Sequence, residues 1–276
     1  MRPSVTSLEV IRCRSLGDAL SALHEYGDAV VPLAGCTDLY VALNAGTLAA
    51  TRFLDLWALD ELRGIESHGD TLRLGALSTY RDVLASPLVR AHLPMLAEAA
   101  RQVGAAQIQQ RGTLGGNIVN ASPAGDTLPV FAAAEAIVVL QSVRGERRVP
   151  FTEFYTGYRA TVRERDELVV RIDVPPATGR QWFRKVGTRA AQAVSKVVIA
   201  AVRSERPRIA LGSVAPVVIR ARRTEDALAS GAPMGRAQAV LAEEISPIDD
   251  VRSTAAYRLQ VSKNLLARFW ADTGPA

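Results

Sequence analysis

Arg111-Gly112-Thr113-Leu114-Gly115-Gly116-Asn117-Ile118-Val119-Asn120-Ala121-Ser122-Pro123-Ala124-Gly125-Asp126 is the most telling stretch of this chain. Glycine, threonine and a glycine pair read as a bend with bare backbone N–H groups. Glycine lets a main chain approach a ligand closely. Thr113 adds a hydroxyl and Asn117 an amide that both donates and accepts. A second stretch of the same character lies upstream, Leu33-Ala34-Gly35-Cys36-Thr37-Asp38. Brought together, the two bends could hold the two phosphates of a dinucleotide without lysine or magnesium. Asp126 reads equally as a carboxylate for ribose hydroxyls and as the N-cap of a helix over 127–135.

The flanks of the first bend support this reading. Leu16, Ala19, Leu20 and Leu23 keep helical spacing and Gly27 stops them. Residues 29–33 then read as a short buried strand and residues 38–45 as a helix ended by Gly46. A loop between a strand and a helix N-terminus favours an anion. Neither bend matches GxGxxG or GxxxxGK[ST], so neither a Rossmann site nor a P-loop is expected.

Further on, residues 52–56, 63–67, 71–75, 137–140, 146–149 and 167–174 read as strands. Residues 79–85 and 94–103 read as helices. Residues 104–126 are small or polar and read as loop. Pro175-Pro176 marks a boundary, beyond which come strands at 181–186, 197–203 and 208–214, then helices at 224–229, 236–244 and 254–270. The expected division is 1–56 and 57–176 as two lobes and 177–276 as a C-terminal α+β domain.

Composition narrows the function. The 276 residues are 48% hydrophobic, enough for a substantial core, but only 5% aromatic, too few for nucleic-acid stacking surfaces. The net charge of +5 comes almost wholly from arginine. The short clusters at 144–148 and 220–223 read as solvated surface, and no nucleic-acid partner is expected. Two cysteines, Cys13 and Cys36, and three histidines form no ligand cluster, so no bound metal is expected. Residues 1–4 carry no signal-like apolar run and no stretch is long enough to span a bilayer, so no membrane insertion and a cytoplasmic location are expected.

On the stretch quoted first, the chain resembles the FAD-binding medium subunit of molybdenum hydroxylases, the group of carbon monoxide, nicotine and quinoline dehydrogenases, and the flavin domain of xanthine dehydrogenase. The resemblance covers essentially the full chain. It implies an α+β protein with the PCMH-type FAD-binding fold: two α/β lobes, then a C-terminal lobe with a three-stranded antiparallel sheet and helices. It implies that Leu33, Ala34, Gly35, Cys36, Thr37 and Asp38 form one phosphate loop of FAD, and that Thr113, Gly115, Gly116, Asn117 and Asp126 form the other. It places Lys185 beside the flavin, Val194 near its ring system and Arg222 close to the cofactor. From the residues alone, Lys185 reads equally as a surface salt bridge and Val194 as core packing. Two departures stand out. Cys36 replaces a family glycine, and Ala190, Gln192 and Ala193 replace most of a charged run that follows Lys185.

The implied function is electron transfer. A molybdopterin-binding large subunit would oxidise substrate, a 2Fe-2S small subunit would pass electrons, and FAD on this chain would deliver them to an acceptor such as NAD. No side chain here is expected to act as a catalytic acid or base. A self-sufficient flavoprotein oxidase or monooxygenase without molybdenum partners is the alternative, and a nucleotide-binding protein that has lost flavin is a second.

Overall fold

The computed structural model describes residues 8–190 and 192–274. Residues 1–4, read above for a targeting signal, and Ala191, within the altered run after Lys185, lie outside that range.

The first lobe is a three-stranded parallel sheet with Arg52–Asp55 between Glu9–Arg12 and Val31–Leu33. Parallel neighbours need crossovers, and helices Leu16–Tyr26 and Leu39–Ala45 lie in the two chain connections. Ser15 caps the first helix through its side chain, Ala19, Leu20 and Leu23 are buried, and Gly27 ends it at φ +51°. The strand Glu9–Arg12 escapes a sequence reading because most of its residues are exposed.

The second lobe is an antiparallel sheet in the order Ile65–His68, Thr71–Gly75, Leu168–Val174, Ile137–Ser142, Gly145–Pro150. The central strand Leu168–Val174 is buried at every residue but Arg171, which accounts for its near-continuous apolar run. Six short helices lie between Tyr80 and Ala133. Two of them, Ala106–Arg111 and Leu114–Asn120, fall where the sequence reads as loop. The glycine pair lowers helix propensity. Thr113 at the N-cap, with Leu114 and Ile118 buried one turn apart, outweighs it.

The C-terminal lobe carries an antiparallel sheet of Arg180–Val186, Val197–Arg203 and Arg208–Gly212, extended by a fourth strand of two residues, Ile219–Arg220. Three strands were expected; the extra one is too short to show in a hydropathy pattern. Val197–Val202 is buried throughout. Helix Ala255–Asp272 packs on this sheet, and so does helix Leu128–Ala133 from the second lobe. No described helix is long and apolar enough to cross a membrane.

Candidate functional site

The two glycine segments meet. A Cβ built on Gly35 would lie 1.7 Å from the carbonyl oxygen of Arg111, so only glycine allows the main chains to approach this closely. Arg111 is held in place from the other side, with its guanidinium 3.6 Å from the Trp57 ring centre. Asn120 Nδ2 donates to Asp38 Oδ1 at 3.1 Å, and Arg159 Nη1 donates to Asn120 Oδ1 at 2.8 Å. The second segment rests on residues 76–80: Tyr80 N donates to Gly112 O, Leu114 N to Ser78 O and Gly115 N to Ala76 O.

Between the segments lies a cavity of about 870 Å³. Ala34, Gly35, Cys36, Thr37 and Asp38 line one wall, and Thr113, Gly115, Gly116 and Asn117 line another. Pro32, Val41, Ala45 and Leu48 add apolar surface. Such a cleft, mostly apolar with a few convergent polar groups, suits a large organic cofactor. Leu33 ends its strand without lining the cavity, and Asp126, Lys185 and Val194 stand outside it.

The segments are not equivalent, and here the sequence reading needs correction. In the second segment the amides of Leu114 to Asn117 are already bonded within the protein. Leu114 N donates to Ser78 O and Gly115 N to Ala76 O, Gly116 N to Thr113 Oγ1 at 3.2 Å, and Asn117 N to Thr113 O. The segment is the first turn of a capped helix, not a bare bend. The Gly115 site is tight because of protein: a Cβ there would come within 2.9 Å of Ala76 O. In the first segment, the amides of Gly35, Cys36, Thr37 and Asp38 have no hydrogen-bond acceptor among the described residues. Unpaired donors on a cavity wall fit the oxygens of an anion.

Cys36 adopts φ +65°, the left-handed region that disfavours a residue with a side chain. Its thiol donates to Ala34 O at 3.4 Å. Burial pushes the thiol pKa up, against the pull of Arg111, so at neutral pH it is a neutral group and not a reactive thiolate.

Asp126 is no helix cap: Thr127 holds that position and makes no side-chain cap bond. Lys185 is no surface residue either. Its ammonium donates to Asp126 Oδ2 at 2.6 Å and to Gln102 O at 3.0 Å, with only 6% of the lysine side chain and 10% of the aspartate side chain exposed. Asp126 Oδ1 is buried without a hydrogen-bond partner. Burial pushes the Asp126 pKa up to about 6, and the Lys185 charge holds it from going further. The C-terminal lobe grips the same loop elsewhere: Ser195 Oγ donates to Ala124 O, and Ser213 N to Pro123 O. Val194 is half exposed, not core, and Arg222 is an exposed residue at the start of helix Arg222–Ala229.

Sequence reasoning missed Arg159 and Asn120. Asn120 lay within the quoted stretch, one turn beyond Asn117. Arg159 comes from the hairpin of Tyr155–Gly157 and Ala160–Thr161, and nothing local in its sequence points to the cavity.

Comparison with known proteins agrees with this geometry. Residues 6–177 match the family described as FAD binding domain in molybdopterin dehydrogenase, and residues 182–273 match the CO dehydrogenase flavoprotein C-terminal domain. The carbon monoxide dehydrogenase medium chain of Hydrogenophaga pseudoflava is 33% identical over 274 residues, covering 94% of this chain and 95% of that one. The glyceraldehyde dehydrogenase medium chain of Sulfolobus acidocaldarius is 31% identical over 272 residues, covering 95% and 96%. In structure, the carbon monoxide dehydrogenase of Hydrogenophaga pseudoflava that lacks the Mo-pyranopterin moiety superposes with a TM-score of 0.89 at 31% identity, over 97% of this chain and 98% of that one. With matches that run nearly end to end, this chain belongs to the FAD-binding family of the molybdopterin dehydrogenases.

Proposed function

We propose that this chain is the flavin-carrying medium subunit of a multi-subunit molybdenum hydroxylase, receiving electrons from a 2Fe-2S small subunit and passing them to an acceptor such as NAD. The carrying observation is a cavity between two converging segments, one with four amides that have no acceptor among the described residues, in a chain of this family. Relatives named as medium chains support larger and smaller partners, and favour this reading over a self-sufficient oxidase or monooxygenase. We further propose a molybdopterin-binding large subunit, a cytoplasmic location, and the division into lobes 1–56 and 57–176 and a domain 177–276. The two family matches, which part between residues 177 and 182, support the second boundary.

FAD supplies the exchange between one-electron and two-electron carriers when bound. The rest is positioning. The amides of Gly35, Cys36, Thr37 and Asp38 would face the diphosphate, with Gly35 and Gly115 keeping the two walls together. Ala34, Thr113, Gly116 and Asn117 complete the lining, while Leu33 and Val194 act from outside it. The orphaned Asp126 Oδ1 fits a hydrogen-bond donor on the cofactor, and Lys185 keeps that carboxylate ionised and aimed. The experiment for the function is purification under non-denaturing conditions. A larger and a smaller chain should accompany a yellow protein, and anaerobic substrate should bleach the flavin only when both are present. Bleaching of the isolated chain by substrate would favour the alternative.

Asp126 gives a pH signature. In the ligand-free protein it titrates at about 6. An accepting Oδ1 requires the ionised form, so FAD affinity should be full above that value. It should fall by up to about tenfold per pH unit below it. Asp126→Asn should flatten the profile in a fluorescence titration between pH 5 and 8. For folding, the same shift has the opposite sense. The folded chain keeps a proton that the unfolded chain, at 3.8, has released. The stabilising contribution of this group therefore declines as pH rises from 3.8 to about 6.

A further inference from the structure

Two side chains from neighbouring elements meet at the cavity wall. Thr127 precedes helix Leu128–Ala133, and Asn117 lies in helix Leu114–Asn120. Thr127 is fully buried, while Asn117 lines the cavity. Thr127 Oγ1 donates to Asn117 Oδ1 at 3.0 Å.

The consequence falls on Asn117. Its oxygen is turned toward Thr127, so the Nδ2 group, with its two N–H donors, is what it presents to the cavity. We propose that Thr127 is a positioning residue that locks the Asn117 amide as a donor. It thereby makes this wall selective for an acceptor-rich phosphate or carbonyl oxygen of the dinucleotide over a ribose hydroxyl proton. This rests on the FAD reading above. It also supplies what the second segment otherwise lacks, because its main-chain amides from Leu114 to Asn117 are spent within the protein and a side chain is left to carry the donor role.

The test is FAD binding by the ligand-free protein, followed by quenching of flavin fluorescence. Thr127→Val keeps the shape and removes the hydroxyl; it should weaken binding about tenfold. Thr127→Ser, which restores the hydroxyl, should bind as the parent does. In an Asn117→Ala background, Thr127→Val should cost nothing more. If Thr127→Val costs the same in both backgrounds, or if serine fails to rescue, the threonine is only structural and the proposal falls while the FAD site stands. If Asn117→Ala itself binds FAD like the parent, the proposal and the assignment of this wall fall together.

Discussion

A Lys185→Met variant should lose about 3–5 kcal/mol of stability at pH 8, the usual result of stripping one partner from a buried ion pair. The lysine side chain is 6% exposed and its ammonium bonds both Asp126 Oδ2 and Gln102 O. Methionine fills similar volume but leaves a carboxylate with neither oxygen satisfied, since Oδ1 already lacks a partner. Asp126, whose pKa is pushed up to about 6 even with the lysine in place, would move higher still. The sign follows: as pH falls through the new folded-state value toward 3.8, the folded protein takes up the proton and the deficit shrinks. Urea denaturation of the ligand-free protein at pH 8 and pH 5 measures this. Adding Asp126→Asn to the methionine variant should recover most of the loss, because the buried charge is gone. A deficit equal at both pH values, with no recovery in the double variant, would mean that the pair contributes shape and not charge.

Gly35→Ala is the second large effect. Its methyl would stand 1.7 Å from Arg111 O, a main-chain atom that cannot rotate away. The two segments must separate, and overpacking of this kind costs about 1–3 kcal/mol. That is about tenfold to a hundredfold in FAD affinity if the strain is felt only when the walls close on the cofactor. Circular dichroism should be unchanged, because the contact is between loops and not within a sheet. Gly235→Ala is the control: that glycine has open space around it in helix Met234–Glu244 and should bind FAD normally. Parent-like affinity in Gly35→Ala would show that the convergence of the segments is incidental to the cofactor.

Much of the architecture was legible because it follows local rules. Gly27 and Gly46 stop helices at positive φ, and Thr79 sets a capping box with Asp82. The alternation around residues 63–75 sets a hairpin. What was not legible depends on tertiary contact. Leu114–Asn120 is helical because Leu114 and Ile118 are buried in the main core, which a glycine pair conceals. The saturation of its amides depends on Ser78 and Ala76, residues with no motif of their own. The site was half legible for the same reason. Sequence located the two walls. Only coordinates reveal that one wall keeps free amides, that Lys185 and Asp126 neutralise each other across two lobes, and that Arg159 reaches Asn120 from a distant hairpin.

The grip of Lys185, Ser195 and Ser213 on residues 123–126 spans the double proline at 175–176. A ligand held by that loop is therefore linked to the folding of both sides. Saturating cofactor should raise the melting point of the C-terminal lobe as much as that of the lobes that line the cavity, merging them into one cooperative transition. Cutting the chain at the prolines would remove this linkage, leaving two halves that melt apart.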